Sequence, residues 1–165
     1  RSRVVIQMTL TTADDDLCRI LEPNVCPTSR RVEVLRILDD AGIPTVVWLC
    51  PILPYINDTE DNINSIIDYC IKTNVRGILC HEMGMTLRNG NRQYFYSKLD
   101  EHFPGLKERY IREYGDSYAI PSPENKKLMA IFKKRTYDAG ILNKFDDIFS
   151  FLYEFPQDTY QSKLI

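Results

Sequence analysis

No sign of charge dominates this sequence. Lys and Arg number 21 against 23 Asp and Glu, a net charge of −2, so nothing advertises a polyanion or an anionic membrane as partner. No apolar run approaches the roughly 20 residues that a membrane-spanning helix needs. Histidine occurs only as His81 and His102, neither in a ligand pair with a cysteine, which leaves a metal site without support. The seven glycines are dispersed, which excludes a glycine-rich phosphate loop. No Gly-x-Ser-x-Gly nucleophile elbow is present. The cysteines are Cys18, Cys26, Cys50, Cys70 and Cys80. An odd number without a short pairing pattern reads as reduced thiols, and hence as a cytoplasmic protein. The opening Arg1-Ser2-Arg3-Val4 resembles neither an initiator methionine nor a signal peptide. The chain is therefore expected to be part of a longer protein.

What is present divides the chain in two. Residues 1–80 hold every valine, all the cysteines and only three aromatics, Trp48, Tyr55 and Tyr69. The other fifteen aromatics follow Gln93. β-Branched richness predicts buried strands in the first part, and aromatics spaced along charged segments predict helices in the second. Val4, Ile6, Met8 and Leu10 alternate with Val5, Gln7, Thr9 and Thr11, the pattern of a strand with two unlike faces. Thr45-Val46-Val47-Trp48-Leu49-Cys50 is apolar throughout, as a parallel strand covered on both sides should be. A third strand is predicted over Gly77–Met83. Helices are predicted near 14–21, 28–41 and 59–72, the second capped by Pro27-Thr28-Ser29. Successive strand–helix–strand units imply parallel strands in the order 1-2-3. Beyond them the spacing predicts helices at 92–103, 105–114, 122–139 and 145–155.

Polar residues on strands carry what functional signal there is. Gln7, Thr9 and Thr11 share a face, and polar atoms there must be satisfied or functional. Glu82 follows the apolar Ile78-Leu79 run. Its carboxylate either reaches solvent or a partner, or works at a site. Asp14-Asp15-Asp16 follows a strand end, where it could hold a cation, although a capped first helical turn is the stronger reading. The basic turn Arg88–Arg92, with Tyr94 and Tyr96 behind it, could touch a phosphate backbone, but a solvated turn is again the stronger reading.

Together these features resemble the second half of a radical S-adenosylmethionine protein of the spore photoproduct lyase-like group. The likeness lies in Thr9-Leu10-Thr11-Thr12-Ala13-Asp14-Asp15-Asp16-Leu17-Cys18-Arg19-Ile20-Leu21-Glu22-Pro23, in Ala41–Thr45, in Pro51-Ile52-Leu53-Pro54 and in Asn57-Asp58. Gly84–Arg88, Gly90-Asn91-Arg92 and Phe103–Leu106 are similar to one subgroup's tail. The resemblance implies an α/β fold in which parallel β/α units over residues 1–88 form about half of a partial TIM barrel. A helical C-terminal region, residues 89–165, would pack on it as part of one structural unit. It further implies that Thr9 and Thr11 contact the ribose and aminoacyl part of S-adenosylmethionine. Cys50, Pro51, Ile52 and Pro54 would pack on its adenine. Tyr55 stands where glycine is common in the group.

The family's cluster signature, C-x3-C-x2-C, is absent. S-adenosylmethionine and a four-iron, four-sulfur cluster are thus expected in the parent protein, with neither binding this chain stoichiometrically. The parent would be an enzyme that cleaves its cofactor and abstracts a hydrogen atom; this chain alone would be inactive. The sequence leaves the substrate open, a nucleic acid included. The competing reading is a non-catalytic small α/β domain that binds a ligand or partner through its sheet face. A half-barrel would also leave that face bare, so self-association is expected.

Overall fold

A computed structural model describes residues 4–154. Strand β1 (Ile6–Thr9) leads through helices α1 (Asp15–Leu21) and α2 (Thr28–Asp40) to β2 (Thr45–Trp48). Helix α3 (Glu60–Lys72) then leads to β3 (Gly77–Leu79). The strands pair in parallel in the order β1-β2-β3, as the crossovers predict. Met8, Val47 and Ile78 lie opposite one another, and so do Thr9, Trp48 and Leu79. Alternation therefore sorts the side chains onto two faces. The Met8–Val47–Ile78 face packs on Leu35 of α2 and on Ile63, Ile66, Ile67 and Cys70 of α3.

The strands are shorter than the sequence predicts. The third ends at Leu79 rather than Met83, because the chain turns away into a second sheet. Strand β4 (Gly84–Thr86) pairs antiparallel with β5 (Ala119–Pro121), so the second half is not purely helical. Between them lie α4 (Asn89–His102) and α5 (Leu106–Tyr114). At three residues each, these strands are too short to show a period in sequence. Gly84 permits the pairing: a Cβ there would stand 2.7 Å from the Ile120 carbonyl oxygen. Leu87, Leu99, Tyr110 and Ile120 form a core of their own around this unit.

Helix α6 (Asn125–Asp138) starts two residues after Pro123, its predicted first position, although the Ser122 hydroxyl does accept from the Glu124 N–H at 3.0 Å. That hydroxyl donates to the buried Asp58 carboxylate at 2.6 Å, and the Ser122 N–H to the Met83 carbonyl. The basic turn is solvated at Arg88, Gly90 and Asn91, but not at its last residue. Arg92 is buried and donates to the carbonyls of Leu87, Gly115 and Ser117, tying α4 to the loop before β5. Thr28 is likewise no cap: it is buried, and its hydroxyl donates to the Thr12 carbonyl.

Helix α7 (Phe145–Tyr153) lies on the second sheet face. Ile148 is fully buried against Val46 and Leu79, with Val5, Trp48 and Phe149 beside it. The bare face on which self-association and partner binding were expected is therefore covered, over β2 and β3, by the chain itself. Phe155, the predicted end of this helix, lies outside the described residues, as do Arg1–Arg3 and the remainder of the 89–165 region.

Candidate functional site

The carboxyl end of β1 is held by side chains from every neighbouring element. The Thr11 carbonyl accepts from Asn57 Nδ2 at 2.9 Å and Asn62 Nδ2 at 3.0 Å. The Ala13 N–H donates to Asn62 Oδ1 at 2.7 Å. The Thr9 carbonyl accepts from Arg31 Nη1 at 3.0 Å. Thr11 is buried, and its hydroxyl donates to Glu22 at 2.8 Å. Arg31 also donates to Glu22 at 2.6 Å and to the Cys26 carbonyl at 2.8 Å. Buried polar groups left unpaired cost about 1–3 kcal/mol each, so this network fixes one conformation of the strand end.

The second side comes from the loop after β2. The Cys50–Pro51 peptide is cis. The Ile52 N–H donates to the Gly84 carbonyl, and Asn57 Oδ1 accepts from the Leu53 N–H, so the loop is pinned at both ends. Tyr55 has a φ of 64°, a region that favours glycine. Tyrosine is kept there by its ring. The Arg109 guanidinium lies 3.5 Å over it, Tyr110 meets it edge-on, and its hydroxyl donates to Glu113. The Tyr110 hydroxyl donates to the Pro54 carbonyl.

Between this loop, the end of β1 and helix α4 opens a cavity of about 920 Å³. Its size falls within the range of small-molecule sites, roughly 300–1,000 Å³, and its place beyond the carboxyl ends of parallel strands is where such sheets bind ligands. Thr9, Thr11 and Pro51 line it, as do Glu22 and Asn57 and, from α4, Phe95 and Leu99. The other predicted site residues lie off its walls. Ile52 is fully buried in the main core, Pro54 is buried beneath Tyr110, and Glu82 is half-buried beyond β3. Cys50 is half-buried, its thiol pushed up by burial. Glu22, Arg31, Asn57 and Asn62 were not singled out from sequence, although Glu22 and Asn57 stand within the stretches that carry the resemblance.

No cluster or cation site is assembled among the described residues. Burial drives the thiols of Cys70 and Cys80 up to about 12. The acidic run is spent on structure. Asp14 caps α1, Asp15 accepts from the Ser29 N–H and hydroxyl at the start of α2, and Asp16 pairs with Arg19.

No family model matches the chain. It is similar to the uncharacterized protein ORF301 of Acidianus two-tailed virus, 28% identical over 108 residues, covering 61% of this chain and 34% of that protein. It is also similar to the uncharacterized protein Rv2578c of Mycobacterium tuberculosis (strain ATCC 25618 / H37Rv), 23% identical over 118 residues, covering 72% and 34%. The chain thus spans about a third of the length of the curated relatives it matches. Its fold is similar to that of a solved domain of pyruvate-formate lyase-activating enzyme from Bacteroides vulgatus ATCC 8482. The TM-score is 0.53 at 10% identity, over 85% of this chain and 65% of that one.

Proposed function

We propose that this chain carries part of the S-adenosylmethionine pocket of a radical S-adenosylmethionine enzyme of the lyase-like, DNA-repair-photolyase-like group, whose cluster ligands lie elsewhere in the parent protein. The observation that carries this reading is the large cavity beyond the carboxyl ends of β1 and β2, lined by Thr9, Thr11 and Pro51, where the resemblance places the cofactor. Two findings support it: the fold likeness to a domain of an activating enzyme of that superfamily, and relatives of which the match to this chain covers only 34%.

The residues suit S-adenosylmethionine and do not suit the cluster. Hydroxyls, a carboxylate and apolar walls from the loop and α4 match a ligand that is part sugar and part flat aromatic ring. The cysteines lack the C-x3-C-x2-C spacing that the family's cluster takes. When bound in the parent, the cofactor supplies hydrogen-atom abstraction, and this chain's residues orient it and exclude water.

The parent protein, reconstituted with iron and sulfide and reduced, is expected to release methionine and 5′-deoxyadenosine. Release should fall when Thr9→Val and Thr11→Val are combined. A reconstituted parent that binds S-adenosylmethionine with unchanged affinity after both substitutions would detach this chain from the pocket.

A further inference from the structure

The wall that α4 gives the cavity differs in chemistry from the end of β1. Asn91, Tyr94, Phe95, Lys98, Leu99 and His102 all line it, at the i, i+3, i+4, i+7, i+8 and i+11 spacing that puts residues on one helix face. The stripe is apolar along Phe95 and Leu99 and polar along Tyr94, Lys98 and His102. Arg19 and Ile20, from the last turn of α1, line the same cavity, and Ile20 is left 40% exposed. At about 920 Å³ the cavity lies near the top of the small-molecule range, which leaves space for a second molecule beside a cofactor.

The charges at this wall are held loosely and favour an anion. Lys98 Nζ lies 2.6 Å from Glu101 Oε2, and His102 Nε2 lies 3.3 Å from Glu101 Oε1, so one carboxylate faces two partners. Arg19 pairs with Asp16, which is 92% exposed and stands off the cavity wall. Exposed pairs of this kind are weak, and a ligand anion can take the place of either carboxylate. The other acid on the wall, Glu22, is already neutralised by Arg31 behind it. The net charge of −2 provides no wider field to draw a polyanion.

We propose that the α4 wall takes the substrate, a small organic carboxylate with an apolar body. Its carboxylate replaces Glu101 as the partner of Lys98, with Arg19 adding to the positive field, and its body lies on Phe95, Leu99 and Ile20. The proposal rests on the adenosyl pocket inferred above, which lies at Thr9 and Thr11, and adds to it the class of molecule on which the cofactor acts.

The test is a calorimetric titration of the parent protein saturated with S-adenosylhomocysteine, using 3-phenylpropionate and its neutral amide, 3-phenylpropanamide. The carboxylate should bind about tenfold more tightly than the amide. Lys98→Gln should remove most of that preference and leave the affinity for S-adenosylhomocysteine as it was, which also shows that the variant folds. Ile20→Ser should weaken both probes alike. Equal affinities for carboxylate and amide, or no binding of 3-phenylpropionate at millimolar concentration, would overturn the proposal while the adenosyl pocket stands. So would competition between 3-phenylpropionate and S-adenosylhomocysteine, which would mean that Lys98 holds the cofactor's own carboxylate. Tighter binding of a thymidine oligonucleotide, lost in Lys98→Gln, would overturn it too and make the occupant a nucleic acid. A parent protein that fails to bind S-adenosylhomocysteine at all would overturn the reading on which the proposal rests.

Discussion

Asp58 shows how one buried carboxylate joins the two parts of the molecule and what that does to stability. It follows Asn57 at the end of the loop after β2 and accepts the Ser122 hydroxyl from the segment before α6. Burial raises its pKa above the ordinary carboxylate range, against the lowering effect of the Ser122 hydrogen bond. A carboxyl whose folded pKa is raised favours folding below its unfolded pKa, and that contribution is lost as pH rises through the folded value. Asp58→Asn is therefore expected to gain stability over the unsubstituted chain as pH rises from acid to neutral. Thermal melts of both proteins across that range measure the difference, and a gap that stays constant with pH would refute the account. From sequence, Asn57-Asp58-Thr59-Glu60-Asp61 reads as a cap and an acidic first helical turn, which α3 bears out. Thr59 is the cap of α3; the two residues before it turn inward, because Thr11 and Ser122, which they meet, are 46 and 64 positions away in sequence. Only folding brings those partners together, which is why polar residues of this kind stayed illegible while Val46 and Ile66, whose apolar period is local, did not.

At the scale of elements, the roles of α7 and β4 rest on close approach. Ile148 is fully buried, and a Cβ on Gly77 would stand 3.0 Å from its Cγ1, so α7 packs directly on the backbone of β3. Ile148→Ala should cost about 2–5 kcal/mol. Ile148→Asp should detach the helix and expose Trp48, the sole tryptophan, shifting its fluorescence to the red; an unshifted spectrum would show that the helix does not cover that face. In the second sheet, Gly84→Ala would force a methyl group into the Ile120 carbonyl. It should separate β4 from β5 and release the Ile52 N–H from the Gly84 carbonyl. Amide exchange at Ile52 and Ile120 should then quicken together, and exchange confined to one of them would argue against the shared hinge. The helices and the parallel order were legible because each rests on a local period and on the handedness of crossovers. The antiparallel pair was not, since two three-residue strands paired with Gly84 opposite Pro121 and Thr86 opposite Ala119 lie too far apart in sequence and are too short to leave a periodic trace.

For the whole molecule, the same geometry bears on association and on iron. Self-association was expected from a bare sheet face, but α7 covers that face at β2 and β3. The Thr9 carbonyl at the β1 edge is taken by Arg31, which blunts the strand as a template. Light scattering at micromolar concentration should therefore report a monomer, and a dimer would place the contact on β1. Anaerobic reconstitution of this chain with iron and sulfide should leave no stoichiometric cluster, because the C-x3-C-x2-C ligand spacing is absent. Stoichiometric iron with a cluster absorption band, lost on replacing Cys18 and Cys26, would contradict that reading.

The central claim, that the cavity beyond β1 and β2 is an adenosyl pocket, is tested most directly by mapping where S-adenosylhomocysteine touches this chain within the parent protein. The account predicts saturable amide shifts over Thr9–Thr12, at Glu22 and along Ile52–Asn57, with the amides of α7 unmoved. Saturable shifts confined to other surfaces, or none at millimolar ligand, would contradict it.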